Sequence, residues 1–251
     1  MGEAGDFDDD YNFRDDTPAG KDPDSRSPTL RQYHRLLWSK PLPDGRPFEL
    51  HTGRALSPYL EYEADGKGFI LGSDAITSSY TRWSRPRSLV NAIASLDENQ
   101  RSRYLNPPYT IGSAMIWPVR KKDRPTMNTA RGFRLLIADR MDLTLECIRR
   151  HYAGEHEGPL QDAIQAYADF FARFDGFQEF VEFFHFQDLV TDDYEQVQFF
   201  LPLEDFQRPG TPTTTAEYVT CREKSLELIE RRARRMAEWV HKHHPEVDVR
   251  P

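Results

Sequence analysis

Cysteine is nearly absent. Two residues, Cys147 and Cys221, stand far apart in 251. No CxxC, HExxH or HxH-plus-Cys pattern occurs, so the sequence offers no metal site. His241, His243 and His244 cluster just before Pro245, where a helix end frays, which is a poor place for a ligand set. A Walker loop, a GxGxxG after a strand, and kinase, deaminase and zincin signatures are all missing. Ser73 has no surrounding GxSxG, so a hydrolase triad loses its strongest cue. No apolar run approaches the ~20 residues that span a bilayer. The start, MGEAGDFDDDYNF, is acidic and has no apolar core, unlike a secretory signal. Gly2 does not make a myristoylation motif, because Asp6 stands where Ser or Thr is required. Two isolated thiols, Cys147 on the apolar side of a predicted helix, fit a reducing compartment, and the expectation is a cytoplasmic protein.

Charge is plentiful but uneven. The net charge is −8, and residues 1–27 hold nine acids against three bases, a net of −6. The remaining body is close to neutral. That argues against a phosphate-backbone groove, and hence against a nuclease or RNA-binding protein. It leaves room for a local basic pocket. Residues 1–27, rich in acids, Gly, Pro and Ser, read as a disordered tail. A single α+β domain is expected over 28–210, with a long C-terminal helix over 211–251 packed on it.

The periodicity gives the elements. TLRQYHRLLWSK is a helix stopped by Pro41 and Pro43. A short strand is expected near Phe48–Leu50. A hairpin follows, Tyr59–Glu63 and Gly68–Leu71 around Asp65-Gly66. Helices are expected at Arg87–Ala94 and Asp97–Leu105, then a buried strand at Tyr109–Trp117. Thr126 to Val190 reads as helical, with apolar stripes at Met141–Tyr152, Leu160–Phe174 and Phe177–Val190. A strand near Gln196–Leu201 is expected to return to the sheet. Thr214 with Glu217 forms a capping box that starts the last helix. Val219, Leu226, Ala233 and Val240 recur every seven residues there, a face for the chain's own body or for a homodimer. The fold class is therefore α+β, a small, mostly antiparallel sheet from the first half against a helical second half.

The segment Asn128–Tyr152 puts five arginines and three acids into otherwise buried helix. Charge that dense needs partners or a ligand. Arg131 stands beside Gly132, and Arg140 stands at a helix start with Asp139 and Asp142 as neighbours. Asp142, Glu146 and Arg150 share one face, with Arg149 three residues after Glu146. The bland reading is ion pairing along a helix. The sharper one is a pocket in which Asn128, Arg131 and Arg140 hold an anion, while Asp74 and Glu146 act in acid–base or positioning roles. Asp74 lies in a hydroxyl-rich strand exit, SDAITSSYTR, which also reads as an ordinary turn. Arg31, His34, Arg35 and Trp38 share a helical face, read as solvated. His185 and Asp188 stand at i, i+3, where a core histidine is the simpler reading.

Three strings, SPTLRQYHRLLWSKPLP, FILGSDAIT and NTARG…ADRMDLTLECIRRHY, together resemble an uncharacterised bacterial family that is frequent in actinobacteria. The resemblance covers residues 24–205, and DRMDLTLECIRRHY is its most specific part. It implies an intracellular bacterial protein and assigns no activity, cofactor or catalytic residue. The leading expectation is a pocket for an anionic small molecule, phosphorylated or nucleotide-like, with enzyme status open. The alternative is a protein-interaction or stress and phage-defence module working through the last helix and the acidic segment.

Overall fold

The structure is a computed structural model describing residues 6–42, 45, 47–52, 60–64, 67–80, 87–105, 109–119 and 126–250. After three two-residue strands, β1 (Phe7–Asp8), β2 (Lys40–Pro41) and β3 (Pro47–Phe48), comes the central four-stranded antiparallel sheet in the order β4 (His51–Thr52), β5 (Leu60–Ala64), β6 (Lys67–Ala75) and β7 (Ala114–Val119). Register places Leu60 opposite Leu71, Ser73 opposite Ile116 and Asp74 opposite Met115. All six residues of β7 are buried, as their composition requires of a strand covered on both faces. The expected strand begins later than its apolar run, because Ile111–Ser113 first makes a 3-10 turn. The Asp65-Gly66 turn, Arg82 and the basic residues 120–125 lie outside the described residues.

Around the sheet lie α1 (Pro23–Arg26), α2 (Pro28–Trp38), α3 (Arg87–Ala94), α4 (Glu98–Leu105), α5 (Met127–Phe133), α6 (Met141–Tyr152) and shorter helices at Gln161–Ala166, Ala168–Phe171 and Phe177–Phe183. The architecture is α+β. Two expected long helices are short instead. Leu160–Phe174 breaks at Tyr167, and Phe177–Val190 ends at Phe184 and resumes as a 3-10 turn, Gln187–Leu189. The breaks let Phe170, Phe174, Phe180, Phe183 and Phe184 interlock in edge-to-face and tilted contacts, with centroids 4.9–6.4 Å apart. The expected strand at Gln196–Leu201 is reduced to one bridge between Val190 and Val197.

The last helix, Thr215–His243, begins at Thr214, whose hydroxyl accepts from Glu217 N at 3.1 Å. Its inner face, including Tyr218, Cys221, Ile229, Met236 and Val240, is buried on the chain's own body. Gly112 makes that docking possible. A Cβ there would meet Ile229 O at 2.1 Å.

The acidic segment is not a loose tail. Phe7–Asp8 pairs in parallel with Val249–Arg250, and Phe7 stacks on Tyr33 at 4.4 Å. Phe7 and Phe13 are fully buried, and Phe13 N donates to Tyr109 O at 2.9 Å. Its acids cap local backbone: Asp8 accepts from Asp10 N, and Asp16 accepts from Thr29 N at 2.9 Å. Low average hydrophobicity hid two aromatic anchors, and the expectation of disorder fails for residues 6–27.

Candidate functional site

Asp74 sits near the end of β6, and the next two carbonyls face the same neighbour. That neighbour is Arg131 on α5, a helix whose N-cap is Thr126, accepting from Thr129 N at 3.1 Å. Arg131 is completely buried. Nη1 donates to Asp74 Oδ2 at 2.9 Å and to Ala75 O at 3.3 Å. Nη2 donates to Ile76 O at 3.1 Å and lies 3.3 Å from Asp139 Oδ1. Nε donates to Thr144 Oγ1 at 3.2 Å. Every N–H of the guanidinium is thus engaged.

Asp139 reaches Arg131 from a strained turn. Ala138 and Asp139 both have positive φ, 51° and 56°. Tyr80 Oη holds Ala138 O at 2.9 Å, and Asp139 N donates to Arg131 O at 2.9 Å. Two carboxylates therefore share one cation. Burial pushes the Asp74 carboxyl well up. Arg131 opposes that rise, while Asp139 and Asp22 add to it. Asp139 is raised by burial too, with Arg131 opposing and Asp24 adding. The pair titrates as a unit. Their side chains keep 28% and 23% of their surface open, while Asp139 Oδ1 itself is buried.

Asn128 borders this centre. Its Nδ2 donates to Ser73 O at 3.4 Å, while its Oδ1 is buried without a partner. Asp139 Oδ1 also lacks a hydrogen-bond donor despite its proximity to Arg131. Beside Asp74, Ser73 donates to Asp24 at 3.0 Å and meets His34 Nε2 at 2.9 Å. Trp38 Nε1 can only donate, and it donates to His34 Nδ1 at 3.0 Å. The proton of this neutral ring is therefore on Nε2, which donates to Ser73. That direction is opposite to nucleophile activation, so His34, Ser73 and Asp24 do not form a hydrolytic triad. Burial lowers His34 to about 3, with Arg232 and Arg31 adding to the fall, and keeps it neutral. A cavity of about 10 Å³, room for one water, lies among Asp24, Ser27, Arg31, His34 and Ser73. The solvated face expected for His34 is instead interior, and Arg31 donates to Ser25 O at 3.1 Å.

Other expected site residues lie elsewhere. Arg140 pairs with Asp142 and donates to Gly210 O at 3.0 Å. Asp142 also accepts from Phe200 N at 2.9 Å, so this ion pair ties α6 to the following loops. Glu146 is held by Arg149 through two bonds of 2.8 and 2.9 Å and by Arg150 at 2.7 Å. Burial opposes its charge, but those bonds outweigh burial and keep the carboxyl below its ordinary value. Neither Arg140 nor Glu146 shares the Arg131 centre as a ligand or acid–base group. Asp188 pairs with Arg235 at 3.0 Å and leaves His185 to other company. Asp22, Asp24 and Asp139 were missed as site residues, the first two because their segment read as disordered.

Among the described residues no group of three or more His, Cys, Asp or Glu side chains is placed to hold a metal ion. No helix there is long and apolar enough to cross a membrane. Cys147 and Cys221 are free, buried thiols.

Fold and site together define an α+β protein built around a buried arginine shared by two aspartates. The chain belongs to a family of unknown function, DUF6994, whose model matches residues 7–236. The match takes in most of the acidic segment and most of the last helix, beyond the 24–205 of the sequence resemblance. No curated protein and no solved structure matches the chain.

Proposed function

We propose that this is a bacterial, cytoplasmic protein whose Asp74–Arg131–Asp139 centre binds a small polar molecule through an amine or other N–H group and exchanges a proton with it. The observation that carries the reading is the sharing of one fully engaged guanidinium by two carboxylates that are about one quarter exposed. Arg131 and Arg140 have their donors occupied inside the protein, which turns the reading from an anionic ligand to a donating one. Two buried acceptors, Asn128 Oδ1 and Asp139 Oδ1, have no donor, so the centre is short of N–H groups rather than of acceptors. A carboxyl that keeps its proton near neutrality can act as a general acid, and its partner as a base. The strained Ala138–Asp139 turn fits a preorganised site. Calorimetric titration with spermidine, and separately with inorganic phosphate, tests this. Spermidine should bind, and Asp139→Asn should abolish that binding. Phosphate binding that Arg131→Lys removes would restore the anionic reading, and no binding of either probe would make the cluster structural.

A second reading, an interaction module, has its own support. A groove of about 690 Å³ runs between Asp9 and Asp10 on one side and Glu230, Arg234, Glu238 and His241 of the last helix on the other. Its excess of acids suits a basic peptide. Fluorescence anisotropy with a lysine-rich peptide, lost in Glu230→Lys with Glu238→Lys, would favour it.

A further inference from the structure

On the other side of Trp38 lies a group of cations that the proposed function does not use. Lys40 is partly exposed, on a short strand, Lys40–Pro41, that pairs with Pro47–Phe48. Its Nζ sits 4.5 Å from the Phe183 ring centre, 4.8 Å from Trp239 and 5.2 Å from Trp38. It donates to Phe183 O at 2.8 Å and lies 3.4 Å from His185 Nε2. Among the described residues no carboxylate pairs with it. Its charged neighbour is Arg232 on the last helix, completely buried and likewise without a carboxylate. Arg232 is held by Phe184 O at 3.1 Å and by Gly112 O and Ala114 O at 2.8 Å, over the Phe186 ring, with Nη2 unpartnered.

We propose that Lys40 is a nucleophilic amine that condenses with small aldehydes or ketones. Two features of the geometry carry this. Three rings strip water from the nitrogen, and a neighbouring guanidinium repels its charge with no acid to compensate; both are ways in which proteins activate a lysine. The neutral amine also fits its partners. Its two N–H groups match two acceptors, the Phe183 carbonyl and His185 Nε2, which leaves the lone pair free. An ammonium would have to aim its third N–H at the rings, and that cation–π attraction is the force working the other way.

The surrounding groups act in one direction. Burial lowers Lys40 to about 7, and Arg232 adds to the fall. Burial with Lys40, Arg232, Arg235 and His243 holds His185 down to about 2, so it is neutral and an acceptor at Nε2. Burial brings Arg232 itself to about 9. Asp188 is engaged with Arg235, and Glu49, next to the paired strand, is exposed.

In the reaction the Lys40 nitrogen attacks the carbonyl carbon and an N–C bond forms. The C–O bond then breaks, and the carbonyl oxygen leaves as water with the two amine hydrogens. The C=N product needs no oxidant or reductant. Its apolar substituent has the partly exposed Trp239 ring beside it.

The test is competitive labelling of the whole protein with limiting propanal and cyanoborohydride, which traps the imine, followed by peptide mapping. There are seven lysines to compare. At pH 7 Lys40 should react at least about tenfold faster than the other six. The advantage should shrink as pH approaches 10.5. Trp239→Leu, at a half-exposed position, should let water back in and cut the advantage several-fold without unfolding the chain. His185→Gln keeps an acceptor and should preserve it. Labelling of Lys40 at pH 7 no faster than that of the other lysines, or its complete protection, would overturn the proposal.

Discussion

Arg131 and Arg232 are both fully buried guanidinium groups, yet they are solved in opposite ways. Arg131 faces two carboxylates, a hydroxyl and two carbonyls. Arg232 faces carbonyls and aromatic rings, with Lys40 as its charged neighbour. The first centre has more acid than cation, and its acids are pushed toward the protonated form. The second has cation without acid, and its bases are pushed toward the deprotonated form. Burial disfavours charge in both cases, and the sign of the surplus decides which group gives way. The comparison teaches that a buried arginine marks a place where nearby groups lose their ordinary proton affinity. Whether it recruits acids or only carbonyls then sets the chemistry.

The strongest break of this contrast is Arg131→Met. It leaves Asp74 and Asp139 together without a cation, and denaturant titration should show a loss of about 3–5 kcal/mol. Adding Asp74→Asn should recover part of it, because the two sites share one interaction. Glu146→Ala removes the carboxylate that Arg149 and Arg150 share, but both reach solvent and Arg150 keeps Asp205, so the expected loss in the same assay is smaller, about 2–3 kcal/mol. Gly112→Ala attacks the second centre. The new methyl group must push the last helix away from Ile229 O and disturb the carbonyl that Arg232 uses, at a cost of about 1–3 kcal/mol.

The smallest effects are in pH dependence, and they separate the centres. A carboxyl raised on folding contributes stability that is present below its ordinary value of 3.8 and is lost as pH rises through the raised value. Asp74→Asn should therefore flatten the stability curve between about pH 4 and neutrality. An amine lowered on folding contributes stability that is present above 10.5 and is lost as pH falls through about 7. Lys40→Met should flatten the curve between about pH 7 and 10.5 and leave the acid limb unchanged. Urea midpoints across pH read both slopes. Changes confined to the wrong limb would break the comparison.

How much of this was legible in the sequence follows from the physics of each signal. Helix α6, the last helix and its Thr214 cap are local patterns, and they were readable. So was the density of charge at 128–152, which pointed to Arg131 and, through the strand exit, to Asp74. Which partner each arginine takes was not readable. Arg140 uses Asp142, two residues away, while Arg131 reaches back across 57 residues to Asp74. The acidic segment misled because its mean composition outweighed Phe7 and Phe13, two rings that anchor everything between them. Lys40 stands out in the sequence beside the Arg31–Trp38 face, but its grouping with Arg232 is not readable there. The group's acceptors are backbone carbonyls, which every residue has, and its walls are aromatic residues that read as ordinary core. The break at Tyr167 and the missing strand at 196–201 reflect phenylalanine packing overriding local periodicity.

The account rests most directly on the claim that Asp74 and Asp139 contend for one guanidinium and keep a proton above the usual carboxylate range. Carbon-13 NMR titration of the aspartate carboxyls in the intact protein, assigned with Asp74→Asn and Asp139→Asn, measures this. The pair should lose its two protons in two coupled steps with at least one midpoint well above 3.8, and each substitution should shift the midpoint of the remaining acid downward. Both carboxyls titrating at or below 3.8, unaffected by each other's removal, would contradict it.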